Sequence, residues 1–167
     1  MRNLGKWVAA SVALALTATS VQARCWDEAA VRAARSRELD TMLMVSALRC
    51  RNDGATFLAD YNSFVKTSRP ALLRINAQLR AHFDEGRGQR ATLDAFDNYV
   101  TAIANRYGAG SDGLSCSDFG WITKAALGAS GSDEDIAQLA ENARIEPILP
   151  EGRCASVGTG YTLAARR

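Results

Sequence analysis

Four cysteines set the tightest limit on what this chain can fold into. Cys25, Cys50, Cys116 and Cys154 are the full complement, and an even number in an exported chain predicts two disulfides. Each pairing must bring two Cα atoms within about 7 Å. No C-x-x-C occurs, so neither a thioredoxin-type redox pair nor a c-type haem attachment is indicated. Thiolates locked in bridges are also lost as metal ligands.

The expectation of export rests on the N-terminus. Arg2 and Lys6 form a positive head, Trp7 to Ala18 is a run of small and apolar residues, and Val21-Gln22-Ala23 is a small-x-small cleavage site. The run is shorter than the ~20 residues a spanning helix needs. Residues 1–23 are therefore read as a signal peptide, 24–154 as one helical domain and 155–167 as a disordered tail. The whole chain carries 20 Lys+Arg against 18 Asp+Glu. Cleavage removes Arg2 and Lys6 and leaves 18 against 18. No excess of positive charge remains to draw nucleic acid or an anionic membrane.

The apolar period is helical nearly throughout. Helix 1 is expected over about 27–51, with a stripe of Leu39, Met42, Leu43, Ala47 and Cys50 and an upstream small-residue face of Ala29, Ala30, Ala33 and Ala34. Helix 2 has the clearest pattern: Phe57, Tyr61, Phe64, Ser68, Leu72, Ile75, Leu79 and Phe83 recur at steps of three and four. Pro70 interrupts the backbone bonding there, yet the stripe keeps its phase. One long kinked helix is favoured over two helices with Pro70 in the first turn of the second. Helix 3 is expected over about 89–107, facing inward with Leu93, Phe96, Val100, Ile103 and Tyr107. Helix 4 is expected over about 115–127, and helix 5 follows a Ser132 cap with Asp133, Glu134 and Asp135 in its first turn. Pro147 and Pro150 then impose an extended segment up to Cys154. The fold class is all-α, a single antiparallel bundle of about five helices.

Helix length constrains the disulfides. A helix of about 25 residues is ~37 Å long, so Cys25 and Cys50, at its two ends, are too far apart to pair. Short connections make successive helices antiparallel. The start of helix 4 then returns to the end that holds Cys50. Cys50–Cys116 is favoured, which leaves Cys25–Cys154.

Cys25-Trp26, Met42-Leu43-Met44-Val45, Leu48-Arg49-Cys50, Tyr61-Asn62 with Phe64-Val65, Asn76, Leu79-Arg80, Phe83, Tyr107-Gly108 and Cys116 together resemble a group of small secreted helical proteins of alphaproteobacteria. The likeness covers about residues 25–116. Some members of that group carry the label adenosylhomocysteine hydrolase, but no G-x-G-x-x-G follows a strand here, so the residues do not support that label. The resemblance implies an exported helical protein and adds no catalytic residue.

Candidate chemistry is sparse. His82, the lone histidine, suits a general base or a favourable charge at a helix C-terminus; with no nucleophile motif beside it, the second is favoured. Met42 and Met44 read as core rather than as Cu(I) ligands. Asp112, Asp118 and residues 132–135 lack EF-hand spacing. No metal and no cofactor is expected. Arg49, Tyr61, Asn62, Asn76 and Arg80 form a speculative pocket for an anionic ligand between helices, although hydrogen bonding of Asn62 and Asn76 within the fold is the favoured account. The function expected is a non-catalytic binding or interaction module, its partner a small molecule or an envelope protein. The alternatives are a small-molecule enzyme with an Arg-lined pocket and an envelope chaperone or inhibitor. Nucleic acid and stable membrane insertion after cleavage are not expected.

Overall fold

Asp27 starts the first helix from extended backbone, and its carboxylate accepts from the Ala30 N–H at 2.7 Å. In the computed structural model, which describes residues 25–155 apart from 85, 87, 111, 112 and 130, five α-helices follow: α1 (Glu28–Arg49), α2 (Leu58–Asp84), α3 (Gln89–Gly108), α4 (Cys116–Gly128) and α5 (Asp133–Asn142). A 3-10 turn, Cys50–Asn52, closes α1. Ser115 and Asp118 cap α4 reciprocally, and Ser132 caps α5. Among the described residues the only β pairing is an isolated bridge of Trp26 with Arg153. The expected signal peptide, and the expected tail beyond Ala155, lie outside the described residues.

α1 is the axis of the bundle. Residues 38–43 are all buried, more than a full helical turn, so no side of α1 meets water there. The other four helices pack around it. Ala33 and Ala34 lie at 2% and 0% exposure on its small-residue face, which permits close approach.

α2 runs unbroken through Pro70. Tyr61, Phe64, Ser68, Leu72, Ile75 and Leu79 are buried in one phase on both sides of the proline, as the stripe requires. Pro70 itself is exposed. Its missing N–H therefore costs one helical hydrogen bond without a compensating buried contact.

α3 departs from expectation. Leu93 is 38% exposed, and Phe96 and Val100 are only half-buried; the inward residues are Thr92, Tyr99, Ile103 and Tyr107. The helix is rotated so that Tyr99 meets Trp26 and Phe83, with ring centroids 5.4 and 5.5 Å apart. Burying a tyrosine ring outweighs burying Leu93, and the Thr92 hydroxyl finds Asp84 Oδ1 and Gly88 O, each at 3.1 Å.

The disulfides are Cys25–Cys154 and Cys50–Cys116, with Cα atoms 4.6 and 5.7 Å apart. Trp26 reinforces the first. Its N–H donates to Gly152 O at 2.9 Å, its carbonyl accepts from the Cys154 N–H at 2.9 Å, and its indole Nε1 donates to Pro150 O at 2.8 Å. Replacing Pro70 with alanine restores a helical N–H at an exposed site. The expected result is a stabilisation of about 1–3 kcal/mol, read as a raised urea midpoint with both disulfides intact.

Candidate functional site

Two acids on α1 are buried, and each is enclosed by partners. Glu38 is 0% exposed. Its Oε1 accepts from Arg106 Nη1 at 2.6 Å and Tyr107 OH at 2.8 Å, and its Oε2 accepts from the Ile148 N–H at 3.2 Å. Arg106 Nη1 also donates to Glu146 O at 3.0 Å. This clasp joins α1, α3 and the extended C-terminal segment. Burial raises the Glu38 pKa above its ordinary 4.5, against the lowering effect of Tyr107, Arg106 and the Ile148 N–H.

Asp40 points the other way, toward α2. Its Oδ2 accepts from Arg37 Nη1 at 2.6 Å and its Oδ1 from Tyr61 OH at 3.1 Å. Burial raises its pKa, opposed by Arg37 and then Tyr61. Tyr61, Tyr99 and Tyr107 are all raised, first by burial and then by the adjacent acids. The tyrosines therefore stay protonated. Glu38 and Asp40 hold helices together through these bonds, while the buried Tyr99 hydroxyl has no partner among the described residues.

The residues singled out from the sequence are dispersed. Tyr61 is engaged with Asp40. Arg80 stands over the Phe96 ring at 5.6 Å and lines a cavity with Asp84, Gln89, Thr92 and Leu93. Tyr61 and Arg80 are ~28 Å apart along α2 at about 1.5 Å per residue, so one small pocket does not hold both. Arg49 lies in the last turn of α1 with its guanidinium against Gly110. Asn62 is exposed, and Asn76 is half-buried with no partner for Oδ1 among the described residues. His82 stacks on Trp26 with ring centroids 3.9 Å apart. Met42 is core, and Met44 packs against the core.

Of the candidate acids, Asp118 is held below the usual carboxylate range by Ser115, and Asp133 by Arg74; Asp112 lies outside the described residues. Cys50, Asp53 and Cys116 are close enough to hold a metal, but the two sulfurs are bonded to each other. Asp53 Oδ2 lies 2.9 Å from Cys116 Sγ.

A solvent-open cleft of about 220 Å³ lies between residues 55–60 and the first half of α4. Phe57, 4% exposed, forms its floor. Trp121, at 69% the most exposed of the large apolar side chains described, forms its rim. The Lys124 ammonium sits 5.3 Å from the Trp121 ring centroid. Thr56, Asp60 and Ser117 also line the cleft, and neither Asp60 nor Lys124 is in an ion pair with a described residue. Gly120 lines the floor beside Phe57, and a Cβ there would meet nothing nearer than Phe57 Cβ and Cδ1 at 3.8 Å. Glycine inside a helix costs about 0.8–1 kcal/mol relative to alanine, and the packing around Gly120 has room for that alanine.

Sequence periodicity missed this cleft, yet one signal for it was present. Trp121 is two residues after Phe119, on the side of α4 opposite its inward stripe. Tryptophan is enriched at binding surfaces, so one on an outward face marks α4 as a candidate surface.

No protein-family model, curated protein or solved structure matches the chain.

The Glu38 shift has a measurable consequence. Its folded-state pKa lies above the unfolded value, so folding favours the proton. That contribution is complete below about pH 4.5 and is lost as pH rises through the folded-state value. Wild type is therefore expected to lose stability relative to Glu38→Gln between pH 4 and pH 8. Urea midpoints of both proteins across that range check this, and a flat difference would mean the pKa is not raised.

Proposed function

We propose that this chain is an exported, non-catalytic binding module. One observation carries the reading: the buried acids are sealed in the frame, while a tryptophan is presented outward on an open cleft beside Asp60 and Lys124, neither of them in an ion pair with a described residue. Reactive groups for acid–base work need access to a substrate, and Glu38 and Asp40 lack it. An exposed tryptophan backed by a buried aromatic floor is the type of anchor that dominates interfaces.

Export is supported by the N-terminal pattern of a positive head, an apolar run and a small-x-small site. Two disulfides and no free cysteine among the described residues fit an oxidising compartment. No described helix is long and apolar enough to cross a membrane.

The test is expression of the full chain in a bacterial host with recovery from the envelope. Export is expected to yield a chain beginning at Arg24, read by N-terminal sequencing. Wild type, retrieved from native envelope extract, is expected to retain a ligand or partner that Trp121→Ala loses. The substitution itself is expected to change stability by less than about 0.5 kcal/mol, as for an exposed side chain. Recovery of wild type alone, with no metabolite raising its melting temperature, would reject the binding role.

A further inference from the structure

We infer that the Trp121 cleft binds one ring of a saccharide chain, with the indole as its platform. This deepens the binding-module reading and rests on it.

Charge narrows the ligand first. Asp60 and Lys124 both line the cleft, so its formal charge is balanced. An anion meets Asp60 and a cation meets Lys124. The Lys124 ammonium, 5.3 Å from the Trp121 centroid, repels a second cation at the ring. What remains is a neutral ligand.

Polarity narrows it further. A wholly apolar occupant would strip water from Asp60, Lys124, Thr56 and Ser117 without replacing their hydrogen bonds, which is unfavourable. The occupant must offer both donors and acceptors at its edge and an apolar face to the indole. A pyranose ring has this distribution: axial C–H groups on one face and hydroxyls around the rim. Hydroxyls donate to Asp60, accept from Lys124, and exchange in either sense with Thr56 and Ser117. Such two-sided demand fits a polyol better than a peptide side chain.

Size agrees. At about 220 Å³ and open to solvent, the cleft is smaller than the roughly 300–1,000 Å³ of pockets that engulf a whole ligand. It accommodates one residue of a chain that continues along the surface. Gly120 lies at its floor with space for a Cβ beside Phe57, so a larger side chain there is a means of filling the cleft.

The experiment uses the full mature chain with both disulfides formed, tagged at its C-terminus, on an array of glucose, galactose, mannose and N-acetylglucosamine oligomers. Retained oligomers are then titrated by tryptophan fluorescence. At least one oligomer is expected to bind, with Kd weakened about tenfold or more by Trp121→Ala. Gly120→Leu, which fills the floor, is expected to act likewise, and Gly120→Ala to weaken binding less. Circular dichroism and melting temperature identify any variant that misfolds; Trp121→Ala alters an exposed side chain and keeps the test decisive if Gly120→Leu does not fold. No oligomer bound by wild type, or equal binding by folded Trp121→Ala, would overturn the saccharide assignment. A protein partner lost with Trp121→Ala, in the absence of glycan binding, overturns this assignment and leaves the binding module standing. Loss of neither would remove both.

Discussion

A carboxylate removed from water is tolerable only where donors converge on it, and Glu38 imposes that condition at the centre of the bundle. Its donors come from Arg106 and Tyr107 on α3 and from the Ile148 backbone in the C-terminal segment. Arg106 is itself half-exposed, so water screens that contact, but a buried acceptor stripped of a donor typically costs about 1–3 kcal/mol. The exposed Arg74–Asp133 pair belongs to a class worth about 0–1 kcal/mol. The rotation of α3 and the course of the last segment therefore answer to Glu38 more than to any surface contact. Asp40, two residues on and facing α2 through Tyr61, makes the same demand on the opposite side. With both acids satisfied at once, α1 is fixed as the axis and its neighbours are fixed around it.

Local periodicity made part of this legible. The α2 stripe appears in the fold as in the sequence because burial on one helix face is a short-range pattern, and exposed Pro70 leaves that pattern in phase. The disulfides were legible for a different reason: the length of α1 and the alternation of helices leave few ways for four half-cystines to meet. The α3 face was not legible, since Leu93 and Tyr99 are both credible inward residues and the choice depends on Trp26 and Phe83. Glu38 and Asp40 were hidden for the same reason. Acids beside an apolar stripe read as solvated until partners 68 and 110 positions away are known to reach them. The speculative pocket on Arg49, Tyr61, Asn62, Asn76 and Arg80 collected polar residues near one stripe without weighing the length of the helix that carries most of them.

The open cleft depends on the same frame. Cys50–Cys116 fastens the first residue of α4 to the turn that ends α1, and Trp121 follows little more than one turn later. The start of α4 is thus fastened covalently near residues 55–60, and packing of α4 on α2 holds the rest. Phe57 beneath it belongs to the α2 stripe and is held by the core. A rigid floor and a fastened wall reduce the ordering cost of binding, which suits a site that presents only a small contact area.

The Trp26 clasp has a mechanical meaning. Cys25–Cys154 joins the first and almost the last of the described residues, and the Trp26 backbone bonds bind the same two strands side by side. Tension applied to both ends of the domain enters at Cys25 and leaves at Cys154, along a covalent path that bypasses every helix. The bundle between them carries almost none of that load. A chain tethered at both ends would keep its helices, its buried acids and its cleft intact under forces sufficient to pull apart a bundle of the same helices without that bond.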